Sequence, residues 1–169
     1  MLDDQLRRLE EFLQGWDIVH LEWQERRGRN TVGMILTHLA IVETVWVHIG
    51  GGGKPVAREA RVMATLGTGL DSAGIPLRKK GRHPANLEGR TLTEYLAKLE
   101  RSRAETRHQV ATWTDDDLRL PVEAYGHTFT REWVLYHLIE HFAAHFGQIA
   151  MIAHAMRDRG IEAIERRET

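Results

Sequence analysis

The chain is 169 residues long, 42% hydrophobic and 28% charged, with 23 Lys+Arg against 24 Asp+Glu and a formal net charge of -1. This size and balance fit one globular domain spanning 1–169, and near-neutrality gives no drive toward nucleic acid or a membrane, so neither is expected as a partner. With no cysteine in the sequence, disulfides, thiolate ligands and a cysteine nucleophile are excluded, which leaves His, Asp and Glu as the strong metal donors.

The amino terminus, Met1-Leu2-Asp3-Asp4-Gln5-Leu6-Arg7-Arg8, lacks the basic-then-apolar order of a signal peptide. No stretch reads as apolar over the width of a bilayer, so a cytoplasmic location is expected.

Leu2, Leu6, Leu9, Phe12, Leu13 and Trp16 recur at helical spacing, which predicts an amphipathic helix over 2–15 ended by Gly15. A polar connector with Arg26-Arg27-Gly28-Arg29 follows. Asn30 or Thr31 then caps a helix whose inward stripe is Met34, Ile35, His38, Ile41, Val42, Val45 and Ile49, stopped by Gly50 to Gly53. Pro55 opens a shorter helix through Met63 and Leu66, and an irregular connection containing Gly74 and Pro76 runs to Arg90. Its Arg78-Lys79-Lys80-Gly81-Arg82 is the longest basic run, too short to suggest a phosphate-binding surface.

Thr91-Leu92-Thr93-Glu94 matches a capping box, and Leu92, Tyr95, Leu96, Leu99, Thr106, Val110 and Trp113 carry the stripe of a long helix. The last helix starts at Thr130, with Phe129 and Val134 placed as a hydrophobic staple, and runs past Met156 toward Gly160. Four substantial helices, a shorter one and almost no alternating strand pattern predict an all-α antiparallel four-helix bundle with a short extra helix.

Ten histidines remain to be sorted. His137, His141 and His145 stand at successive i, i+4 steps on the last helix, within an arc of about 80°. Two imidazoles one turn apart can reach one ion. The pairs His137/His141 and His141/His145 are geometrically equivalent, although Val134, Leu138, His141, His145, Ile149 and Ile152 form a core-facing run that contains the second. The motif alone is weak, because helical histidines at this spacing are often plain surface or core residues.

His38 strengthens it: an imidazole in the middle of an apolar stripe needs a polar partner inside the bundle. A third ligand on a facing helix would complete a three-His site with a position open for water or substrate. Glu43 and Glu140 are candidate outer partners or general bases, and Gln148 shares a face with His145 and can bond its ring. Gly147 leaves room for a neighbouring helix. The remaining histidines, His20, His48, His83, His108, His127 and His154, read as surface residues, and Trp16, Trp46, Trp113 and Trp133 as core.

Leu36-Thr37-His38-Leu39-Ala40-Ile41-Val42-Glu43, His141-Phe142-Ala143-Ala144-His145-Phe146-Gly147-Gln148-Ile149 and the stretch from Pro84 to Leu96 resemble the DinB/YfiT-like metalloenzymes, which include bacillithiol and mycothiol S-transferases. The resemblance implies a four-helix bundle, a Zn²⁺ or Ni²⁺ ion on three histidines, and often a homodimer. Carried over, the ligands are His38, His141 and His145, which breaks the tie against His137. Where such proteins often have an acidic, His-rich stretch, this chain has Phe142-Ala143-Ala144, which predicts a more apolar pocket.

The expected function is therefore a metal-dependent transferase that delivers a low-molecular-weight thiol to a small electrophilic substrate, the sulfur coming from outside a chain without cysteine. Two alternatives stand beside it. One is a metal-dependent hydrolase of a small molecule with Glu43 as base, and the other a non-catalytic metal-binding or stress-response bundle.

Overall fold

Leucines spaced three and four apart bury one side of α1, Leu2–Phe12, while its Arg and Glu residues stay in water. The computed structural model describes residues 1–69 and 81–161, so Gly74, Pro76 and the run from Arg78 to Lys80 lie outside the described residues. The helix ends earlier than the sequence predicts, and Gly15 takes a positive φ of 83° in the turn that follows. The polar connector holds a further short helix, α2 (Ile18–Glu22), started by a reciprocal cap between Asp17 and His20. His20, expected at the surface, is 5% exposed, because its ring closes that cap at 2.6 Å from Asp17 Oδ1.

Of the two candidate caps for α3 (Val32–Gly50), Thr31 is the one used, its hydroxyl accepting from the Met34 N–H at 3.3 Å. The predicted inward stripe understates this helix, which is buried on nearly every side as the central element of the fold. It is also long and apolar enough to cross a bilayer, contrary to the expectation from sequence, yet 78% of that span is buried inside the protein.

A single turn at Pro55–Ala57 leads into α4 (Arg58–Leu66), closed by Gly67 at φ +65°. The capping box forms as predicted at the start of α5 (Leu92–Val110), where Thr91 Oγ1 accepts from the Glu94 N–H and the Glu94 carboxylate accepts from the Thr91 N–H. Trp113 lies beyond the end of that helix. Between α5 and α6 stands a hairpin absent from the sequence prediction, β1 (Pro121–Ala124) antiparallel to β2 (His127–Thr130). Thr130 then caps α6 (Arg131–Arg157) as expected.

Side-chain contacts give the directions. Tyr95 packs on Gly33 and Gln109 on Gly51, so α3 and α5 run parallel, joined by the long segment that contains α4. His38 meets His141 while Trp46 meets Trp133, so α3 and α6 run antiparallel. The all-α bundle expected from the sequence is the architecture observed, with a small two-stranded clip added.

Candidate metal centre

His38 sits near the middle of α3, and His141 and His145 project from α6 across from it. His38 Nε2 and His141 Nε2 are 3.1 Å apart, and the three ring centroids lie 4.4 to 5.0 Å from one another. One nitrogen from each ring falls within 4.8 Å of the other two. A tetrahedral ion with bonds of ~2.0–2.1 Å needs donors about 3.3 Å apart, a spacing the His38–His141 pair already approaches at 3.1 Å and that the third ring would reach by closing from within 4.8 Å.

Protonation favours the same use. Burial, with His145 adding to it, pushes the His38 pKa down to about 4. Burial and the neighbouring His145, His38 and His137 push His141 down to about 3. Burial also lowers His145, while its bond to Gln148 acts the other way. All three are therefore neutral at pH 7, with lone pairs available to a cation. Gln148 Oε1 lies 2.9 Å from His145 Nδ1, so this nitrogen donates and Nε2 is left as the free donor atom. The residues present thus fit a divalent ion in number, chemistry and protonation.

His137 is not part of the group. Its ring stacks on Trp133 at 4.8 Å with an interplanar angle of 6°, and its Nδ1 lies 3.3 Å from Glu140 Oε1. Glu140, exposed, serves His137 rather than the converging histidines. Gly147 is exposed, and a methyl group in place of its Cα hydrogen would meet nothing within 4 Å, so among the described residues no neighbouring helix approaches it. The expected apolar stretch divides: Phe142 enters the core and Ala143 and Ala144 are exposed.

Glu43 is also elsewhere. Five residues beyond His38 is a rotation of about 140° around the helix, and its carboxylate, 3% exposed, is held on that other side. Arg103 donates to it from Nε (2.7 Å) and Nη2 (3.1 Å), and Thr106 from its hydroxyl (2.6 Å). The Arg103 guanidinium also covers the Phe142 ring at 5.6 Å, so one buried cation ties α3, α5 and α6 together. The sequence signal for Arg103 was its place three residues before Thr106, on the apolar side of α5.

Over residues 1–157 the sequence matches the mycothiol-S-transferase family. The chain belongs to that family. Membership of the mycothiol S-transferases, a DinB/YfiT-like group, agrees with the resemblance carried by the segments around His38 and His141. No curated protein matches the chain. Among solved structures it is similar to the crystal structure of a conserved protein from Enterococcus faecalis, with a TM-score of 0.67 and 15% identity over 93% of each chain. That likeness concerns the fold alone.

Proposed function

We propose that this single-domain protein is a divalent-metal-dependent thiol S-transferase, with His38, His141 and His145 as the ligands. The observation that carries the proposal is the convergence of three neutral imidazoles from two facing helices in a member of a thiol-transferase family. A nitrogen-only donor set suits Zn²⁺ or Ni²⁺. A cation held there would supply the positive charge that lowers a thiol's pKa toward neutral.

The protein's own residues provide the frame. His38 is fixed by the most buried helix, and Gln148 holds the His145 ring in one tautomer. With His38, His141 and His145 as its protein ligands, a bound ion would remain accessible to an external thiol. In the transfer, the thiol proton passes to solvent, a carbon–sulfur bond forms, and the leaving group departs with its electron pair. The hydrolytic alternative needed Glu43 as base, and that carboxylate is committed to Arg103 and Thr106.

The test is metal content of tag-free protein by mass spectrometry, comparing wild type with His38→Ala and His141→Ala. Near-stoichiometric zinc or nickel in wild type, lost in both variants, together with conjugation of mycothiol to an electrophile, is the expected result. No metal after reconstitution would overturn the proposal and favour a non-catalytic bundle.

A further inference from the structure

The α6 helix carries more than the two converging histidines. Toward its start, His137 contacts His141 at 5.6 Å, Trp133 lies nearly parallel to His137, and Phe129 of β2 stacks on Trp133 at 4.1 Å and 24°. From His141 to Trp133 the helix rises about 12 Å. Trp46 of α3 meets His137, Trp133 and Phe129 edge-on at 5.2 to 5.5 Å. Trp46, Phe129 and Trp133 are half-buried and pack against the core as the sequence predicts, each leaving part of its ring accessible. Together they make an aromatic wall that begins at the histidine cluster and ends at the hairpin.

An independent feature lies at the wall's rim. Tyr125 has φ +53°, the one non-glycine residue at positive φ among the described residues. It takes the first place of a two-residue hairpin loop before Gly126, where Asn or Asp sits with less strain. The strained backbone sets a 54% exposed ring against Trp46 at 5.7 Å, with the Arg58 guanidinium 5.8 Å from it. Through Trp46 and then His137 this ring is joined to His141, so the strained turn extends the wall outward from the histidine cluster. At the hairpin end of the wall, Phe129 and Trp133 line a shallow surface depression open to solvent, together with Arg119, Pro121, Thr128 and Thr130.

We propose that this wall is the subsite for the electrophile and that it selects planar, conjugated molecules, with Trp46 and Tyr125 as specificity-determining residues; the assignment of the ligand as the electrophile rests on the transferase reading. Parallel and edge-on ring surfaces reward flat π systems by offset stacking, and electron-poor rings most of all. The Arg58 charge at the rim complements nitro or carbonyl oxygens on such a molecule. Saturated, puckered molecules gain none of this.

The probe is 2,4-dinitrotoluene, a planar molecule without a leaving group, with cyclohexanecarboxamide as the puckered control, each titrated by calorimetry. The proteins are wild type, Trp46→Leu and Tyr125→Asn. Dinitrotoluene should bind wild type and weaken about fivefold in each variant, while cyclohexanecarboxamide binds none of them measurably. Tyr125→Asn should at the same time hold or raise the melting temperature, because Asn suits the positive φ, so lost binding is separated from lost folding. Unchanged dinitrotoluene affinity in both variants, or no binding to wild type, overturns the proposal. The expected binding pattern without any thiol conjugation supports the planar-ligand subsite and counts against the transferase reading alone.

Discussion

Arg103→Met is the most informative single change in the interior. Arg103 is 1% exposed and Glu43 3%, and the substitution deletes the bonds at 2.7 and 3.1 Å, leaving the carboxylate only the Thr106 hydroxyl. Removing one partner of a buried ion pair costs roughly 3–5 kcal/mol. For a chain of this size each kcal/mol is worth about 2–4 °C, so the melting temperature should fall by about 6–20 °C. The double variant Glu43→Leu/Arg103→Met should recover most of the loss, since no charge is then stranded and the Thr106 hydroxyl keeps its bond to the Ser102 carbonyl at 3.1 Å. Urea and thermal unfolding followed by circular dichroism, in chelator so that bound metal does not contribute, gives both numbers. A single variant within about 1 kcal/mol of wild type, or a double variant worse than the single, would refute the reasoning.

Two further outcomes follow from the local chemistry. Gln148→Leu removes the acceptor that orients His145, so affinity for zinc should drop about tenfold or more in competition with a fluorescent chelator, with unfolding of the metal-free protein unchanged; equal zinc affinity would remove Gln148 from the site. Glu94 is held down to about 2 from 4.5, first by the Thr91 N–H, then by Arg90 and the Thr91 hydroxyl. Because the folded pKa is the lower one, its contribution is complete above pH 4.5 and is lost as pH falls toward 2. Glu94→Gln should therefore melt below wild type at pH 7, the two curves merging near pH 2; a gap constant over that whole range would contradict the capping role.

The parts of this fold legible in the sequence are those written in local chemistry. Thr91 with Glu94, Thr31 and Thr130 each announce a helix start because the side chain that satisfies the free N–H groups sits within three residues of them. The histidine cluster was legible because two members share one helix and the third interrupts an apolar helix where an imidazole needs company. What stayed hidden depended on distant partners. Burial all round α3 takes in Glu43 and Thr44, which no stripe would assign inward, and each is matched by a residue of α5, Arg103 or Ser102. The hairpin escaped because its loop, Tyr125-Gly126, lacks the Asn-Gly or Asp-Gly signal, and its Tyr ring is accounted for only by Trp46 on another helix.

His38 and His141 are 103 residues apart in the chain. Closing that distance costs loop entropy that the packed apolar core of the bundle repays, the core being built from side chains other than these rings. An ion bound there would enter a finished bundle instead of guiding its folding, unlike the small domains that collapse around zinc. Cells short of metal would then still accumulate the folded protein, and metal supply would set how much of it carries an ion without changing how much there is.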